Sequence, residues 1–232
     1  MIYCVNHRTW HHFGGLLAAQ YQLRYKLLVD AQYWEVGRFQ GMEYDQYDTP
    51  AATYLVWADK HGNVRGSVRT VPTDRPYMLK DLWPEIVEKI PLPHSLSTWE
   101  ATRFCVDSTL PKEQRQRVKH ELVCAFLEFG LNNDISQMIG VMPPKLWKSC
   151  FIDSGWDIEF LGPEKQAGSD LIVAGMMPIS LAVLKKVREA TGVTHPVLLT
   201  APVNDDTPYA AATSDDSGNV PRYGAGPVRS SV

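Results

Sequence analysis

The chain has 232 residues, an ordinary share of apolar and charged side chains, and a formal net charge of −3. That length supports one sizeable domain with a full core, or two small ones. The weak negative balance predicts neither a nucleic-acid partner nor an anionic membrane. No apolar run approaches the ~18 residues of a spanning helix, and Met1 to Arg8 are too polar for a secretion signal, so a cytoplasmic location is expected.

Apolar residues at helical spacing, among them Leu16, Leu17, Tyr21, Leu23, Leu27 and Leu28, predict a helix over 14–29. The run Thr53-Tyr54-Leu55-Val56-Trp57 predicts a strand over 51–58. A polar turn carrying Gly62 follows, and 64–70 returns as the second strand of a hairpin. Residues 96–106 read as a further strand. Pro111 then sits at the first turn of a helix that runs to Asn132 with Val118, Leu122, Ala125, Phe126 and Phe129 on one face. A strand over 135–142 leads through Pro143-Pro144 into a helix to about 153, closed by Gly155. A strand over 171–176 and a helix over 179–190 complete the pattern. Strands alternating with helices predict one α/β or α+β domain with a mixed sheet. Beyond about 200 the composition turns to Asp, Pro, Gly, Ser and Ala, which predicts a domain over 1–200 and a flexible tail over 201–232. Cys4, Cys105, Cys124 and Cys150 share no metal spacing and are expected to be reduced, buried hydrophobes.

Charged residues close several of these apolar segments: Arg24, the run from Glu43 to Asp48, Arg69, then Glu100 and Arg103. Charges so placed converge on a cleft rather than scatter over a solvated face. A cleft with acids and arginines can hold a zwitterion or a cation and move a proton, which points to an enzyme. Each residue also has a plain structural reading. Glu100 can pair with Arg69 or Arg103, Asp45 and Asp48 can be turn residues before Thr49-Pro50, and the arginines can sit in an ion-pair lattice.

The ordered set Arg24, Trp34, Asp45 and Asp48, Arg69 closing Gly66-Ser67-Val68-Arg69, and Glu100 with Arg103 in Glu-Ala-Thr-Arg-Phe resembles the acyl-homoserine-lactone synthases. These are the LuxI-type autoinducer synthases of bacterial quorum sensing, and the resemblance covers roughly residues 1–195. It implies a three-layer αβα sandwich with a mixed central sheet, similar to the GCN5-related N-acetyltransferases. It implies two substrates, S-adenosylmethionine and an acyl thioester on acyl carrier protein or coenzyme A. The amine attacks the thioester to give an amide; the methionine carboxylate then closes a lactone and expels methylthioadenosine. Neither a metal nor another cofactor is required.

The reaction sets the roles. An ammonium cannot attack, so Glu100 is assigned as the proton acceptor, its pKa raised by burial. Asp45 and Asp48 hold the ammonium or buttress Arg24. Arg69 and Arg103 suit a fork onto the methionine carboxylate. Trp34 stacks on the adenine, covers the sulfonium, or simply packs under a loop. Phe104, by strand alternation, faces away from Arg103 as core or acyl contact. Met142 and Trp147, with Met138, Leu146, Phe151 and Ile152, are an acyl slot or ordinary core. Backbone N–H groups at a strand bulge would serve the oxyanion.

Departures from the family pattern sharpen this reading. Leu28 stands where many relatives carry phenylalanine, with Tyr25 as a replacement wall. Pro143-Pro144 falls where makers of 3-oxo products carry threonine, and Trp147 follows, which favours a short, branched or aromatic acyl group. Lys145 and Lys148 suit a carrier protein or a solvated helix face. The segment up to Asp48 is expected to close over the adenosylmethionine and exclude water. Two rivals remain: an acetyl-coenzyme A-dependent N-acetyltransferase and a non-catalytic binding protein. The first wants a glycine-bearing phosphate loop, and the residues after Arg103, Phe-Cys-Val-Asp-Ser-Thr-Leu-Pro, have none.

Overall fold

The computed structural model describes residues 1–30, 36–168 and 170–199. Trp34 and the tail expected over 201–232 lie outside them. In chain order the elements are β1 (Ile2–Val5), α1 (Gly14–Arg24), β2 (Arg38–Phe39), β3 (Met42–Glu43), β4 (Thr53–Ala58), β5 (Val64–Pro72), α2 (Met78–Leu82), β6 (Thr98–Val106), α3 (Lys112–Asn132), β7 (Gln137–Met142), α4 (Pro144–Cys150), β8 (Glu159–Phe160), β9 (Lys165–Ala167), β10 (Asp170–Pro178), α5 (Leu181–Thr191) and β11 (Leu198–Leu199). A π-helical turn, Tyr25–Asp30, continues α1. Among these residues no helix is long and apolar enough to cross a membrane.

Nine strands form one sheet in the order β11-β1-β4-β5-β6-β7-β10-β8, with β9 on β10. The pairs β1–β11 and β6–β7 are parallel and the others antiparallel, so the sheet is mixed as expected. Helices cover both faces. On one face Ile2, Leu55, Val68 and Met138 pack with the apolar side of α3 and with Leu184 and Val187 of α5. A Cβ on Gly66 would stand 2.6 Å from Val118 and 2.8 Å from Leu122, which shows how closely α3 lies on β5. On the other face Val5, Tyr54, Val56 and Val71 meet Leu16, Leu17 and Tyr21 of α1. Farther along this same face Tyr77, Leu79 and Ile86 cover Ile139, Ile172 and Ala174. The result is the αβα sandwich.

The register places Val71, Glu100 and Ile139 side by side across β5, β6 and β7. Val71 packs under α1 and Ile139 under the α2 segment, so Glu100 stands at the boundary between them. Two irregularities then shape the middle of the sheet. Ser67 pairs with Cys105 but Arg69 pairs with Thr102, so β6 carries one extra residue opposite Val68. This is a β-bulge, and Arg103 within it has a left-handed φ of 56°. The second is a parting of strands. The β6–β7 ladder runs from Thr98–Gln137 only to Glu100–Ile139, although both strands continue.

The predicted hairpin and the helix over 112–132 form as expected. Gly155, with φ 86°, follows the short 3-10 turn Ile152–Ser154 rather than the α-helix itself, because α4 ends at Cys150. Strand β1 and helix α2 carried no sequence signal. Four and five residues are too few to show a period.

Candidate active site

Three arginines and three acids form a closed ring on the α1 face. Arg24, in the last turn of α1, meets Asp48 with both terminal nitrogens, at 2.8 and 2.9 Å. Arg69 Nη1 joins Asp48 Oδ1 at 3.0 Å to Asp45 Oδ1 at 2.5 Å. Arg103 Nη2 joins Asp45 Oδ2 at 2.7 Å to Glu43 Oε1 at 3.0 Å. Glu43 Oε2 accepts from Arg24 Nε at 2.5 Å and closes the circuit. Positive and negative groups alternate, so the ring is neutral and each buried charge has two partners. Such pairing is the condition under which buried charges are tolerated.

The bulge makes this ring possible. Strict alternation would turn Glu100 and Arg103, three residues apart, to opposite faces of β6. The extra residue puts Thr102 and Arg103 on the same side. Thr102 Oγ1 accepts from Arg69 Nε at 3.0 Å, while Phe104 and Cys105 resume alternation. Cys105 therefore lies against Leu23 and Leu28, and Phe104 faces α3.

The ring is unevenly exposed. The side chains of Arg24, Glu43 and Arg69 are fully buried, whereas Asp45 and Arg103 are 11 % and 8 % exposed. Asp48 is saturated. Its oxygens accept from Arg24, the Tyr54 hydroxyl at 2.7 Å and the Asp45 backbone N–H at 2.8 Å, and they pair ionically with Arg69. Burial pushes its carboxyl up, but the hydrogen bonds and charges of Arg24 and Arg69 outweigh that and hold it below the usual carboxylate range. This geometry makes Asp48 a buttress for Arg24, one of the two roles the sequence allowed. Arg69 is likewise committed, to Thr102, Asp45 and Asp48, so it takes the lattice role. Arg103 keeps one lightly held nitrogen: among the described residues Nη1 meets only the Met78 Sδ, at 3.7 Å.

Glu100 pairs with neither Arg69 nor Arg103. Its carboxylate accepts the backbone N–H groups of Met78 at 2.8 Å and Leu79 at 2.6 Å and so caps the start of α2. Burial pushes its pKa up, opposed by those two N–H groups and by Arg69, and the result is about 7. A carboxyl poised there exchanges protons readily at neutral pH. Tyr47 stacks on Arg69, with the guanidinium 5.7 Å from the ring centre, and its hydroxyl reaches Asp81 of α2 at 3.2 Å. Helix α2 is thereby tied to both Glu100 and the acidic loop.

The other predicted residues gather on the opposite face. Phe104 contacts Phe126 and Phe151, with ring centres 6.2 and 5.4 Å apart. Trp147 is fully buried and its indole N–H donates to the Val173 carbonyl at 3.0 Å. It lies on two glycines: a Cβ on Gly175 would come within 2.8 Å of its ring, and one on Gly140 within 3.5 Å. Met142 ends β7 beside this cluster. Leu146 and Ile152 do not join it; both are exposed. Leu28 is buried with Leu23 and Cys105. His11 and His12 are exposed, and His120 meets Gln116 on α3. Glu43 was named only as part of an acidic run, yet it carries two of the three arginines. Because Glu100 is bound to the α2 backbone, Asp45 and Asp48 alone would leave the three arginines one acid short, and Glu43 supplies it.

Where the parallel strands β6 and β7 part, the sandwich presents a buried carboxyl with a pKa of about 7 that can move a proton at neutral pH. A family model described as autoinducer synthase matches residues 15–187. An acyl-homoserine-lactone synthase of Acinetobacter nosocomialis is 35% identical over 120 residues, 51% of this chain and 66% of that protein. One from Ralstonia nicotianae is 36% identical over 144 residues, 58% of this chain and 71% of that protein. The CoA-dependent acyl-homoserine lactone synthase BjaI, solved with SAM and isopentyl-CoA, shares the fold with a TM-score of 0.77 at 24% identity, over 86% of this chain and 92% of that one. The chain belongs to the autoinducer synthase family, the acyl-homoserine-lactone synthases.

Proposed function

We propose that this chain makes an acyl-homoserine lactone from S-adenosylmethionine and an acyl thioester, carried by coenzyme A or acyl carrier protein, in the cytoplasm. Glu100 takes a proton from the methionine ammonium. The freed amine attacks the thioester carbon, the C–S bond breaks, and the thiolate leaves with the proton held by Glu100, which then takes the second proton from the attacking nitrogen and passes it to solvent. The methionine carboxylate oxygen then attacks its own γ-carbon, and the C–S⁺ bond breaks to release methylthioadenosine. Arg103 Nη1 orients that carboxylate, Asp45 holds the ammonium before its deprotonation, and Asp48 keeps Arg24 in place. Trp34 covers the adenine or the sulfonium, and the segment up to Asp48 keeps water from the thioester. The parting of β6 from β7 admits the thioester, and the bulge at Arg103 supplies backbone N–H groups for the oxyanion.

The observation that carries this reading is the position of Glu100. It is a buried carboxyl with a pKa of about 7, on the same face of β6 as the loosely held nitrogen of Arg103. The acyl chain lies on the aromatic face, among Phe104, Met142 and Trp147. Trp147 is pinned at its N–H and seated on Gly140 and Gly175, so it is a fixed wall and favours a short, branched or aromatic acyl group. Lys145 and Lys148 on α4 are exposed, and Lys148 pairs with Asp153; they suit an acidic carrier. The test is mass spectrometry of the purified protein given S-adenosylmethionine with a series of acyl-coenzyme A and acyl-carrier-protein donors. A homoserine-lactone fragment from a short or branched parent is expected. Its absence with every donor would overturn the proposal.

A further inference from the structure

A second circuit closes behind the ring. The Tyr21 ring lies 5.1 Å from the Arg24 guanidinium. Its hydroxyl is 3.0 Å from that of Tyr54, and Tyr54 donates to Asp48 at 2.7 Å. Asp48 then returns to Arg24 through two hydrogen bonds. The direction of the chain is fixed. A carboxylate held in its charged form can only accept, so the Tyr54 proton points at Asp48 and the Tyr54 oxygen accepts from Tyr21. Burial first, and the Asp48 charge after it, push the Tyr54 pKa up, so the donor persists across the working pH range. Tyr54 is on β4 and Tyr21 on α1, one turn before Arg24, so the circuit ties the helix that carries Arg24 to the sheet.

We propose that Tyr54 is a positioning residue for the sulfonium substrate: backed by Tyr21, its hydroxyl fixes Asp48, and through Asp48 the guanidinium groups of Arg24 and of Arg69, which in turn holds Asp45, the acid assigned to the ammonium. This rests on the function proposed above. Asp48 Oδ1 accepts from Arg24 and Tyr54 and forms an ion pair with Arg69 at 3.0 Å. Without the hydroxyl, Oδ2 is still held by Arg24 and the Asp45 N–H, but Oδ1 keeps only two arginines on different elements and loses the bond that sets it between them. The Tyr54 ring would remain in the α1 core with Val56 and Val71, so the loss is one of direction more than of packing.

The test is Tyr54→Phe, assayed with each substrate varied and by calorimetric titration with S-adenosylmethionine. We expect KM and Kd for S-adenosylmethionine to rise by about tenfold, the scale of one charge-assisted hydrogen bond. The turnover number and the KM for the acyl donor should stay within about twofold, since uniform binding of one substrate is what is lost. Tyr21→Phe keeps the ring over Arg24 and removes only the outer hydroxyl, so it should shift the same constants in the same direction by less. A folded Tyr54→Phe enzyme with unchanged affinity for S-adenosylmethionine overturns the proposal. So does a loss of thermal stability without a change in KM. If Tyr54→Phe does not fold, unchanged constants in Tyr21→Phe overturn it instead. A wild-type protein that does not bind S-adenosylmethionine at all would sink the proposed function, a result distinct from equal binding by wild type and variant.

Discussion

The two faces of β6 solve the same packing problem in opposite ways. Toward α1, Arg103 enters a ring of six charges in which every member depends on its neighbours, and Thr102 accepts from the ring's Arg69 on β5. Toward α3, Phe104 enters a cluster with Phe126, Phe151 and Trp147 in which contacts are apolar and orientation is set by shape. A ring of charges is intolerant, because removing one acid leaves two buried cations underpartnered. In an aromatic cluster a lost contact leaves a cavity and no uncompensated charge. On the proposed function, the charged face recognises the small charged substrate and the aromatic face, with Trp147 as its fixed wall, sets the acyl group.

The largest expected effect falls on the charged face. Glu100→Gln retains an acceptor oxygen but no base, and should lower kcat by about 10²–10⁴-fold. The wild-type kcat/KM should rise with pH through a midpoint near 7, where Glu100 loses its proton. The stability contribution has the opposite sign. The folded-state pKa lies above the ordinary 4.5, so the folded protein binds the extra proton, and the stability present below 4.5 is lost as pH rises through about 7. Denaturant unfolding across that window should show the slope in the wild type and not in Glu100→Gln.

Next is Glu43→Ala, which strips one acid from both Arg24 and Arg103. Its unfolding free energy should fall by about 3–5 kcal/mol in urea titration. A loss below 1 kcal/mol would mean that the ring is not a cooperative unit. On the aromatic face, Gly175→Ala pushes a methyl group into Trp147. It should cost about 1–3 kcal/mol and change the acyl profile of the product by mass spectrometry, while the KM for S-adenosylmethionine holds. An unchanged profile would detach Trp147 from the acyl slot.

The sequence carried the order of the charges and the periods of the long elements. The apolar side of α3 and the β4–β5 hairpin were legible because 21 residues and a glycine turn are strong local signals. The bulge was not legible. The three-residue step from Glu100 to Arg103 conflicts with the alternation of a regular strand, and only a left-handed residue in the middle of β6 reconciles it. The partner of Glu100 was also hidden, since it is the backbone of α2, some twenty residues away, and backbone carries no sequence signature. Tyr54 read as a β-forming residue, which it is, and nothing local reveals that its hydroxyl reaches Asp48.

The division of labour between the faces is tested most directly by the two Michaelis constants of Arg103→Gln, once its thermal transition shows that it folds. Among the described residues, Arg103 is the ring member whose Nη1 is held only by the Met78 sulfur. The account predicts that KM for S-adenosylmethionine rises by about tenfold or more while that for the acyl donor stays within about twofold. A parallel rise in both, or a rise for the acyl donor alone, would contradict it.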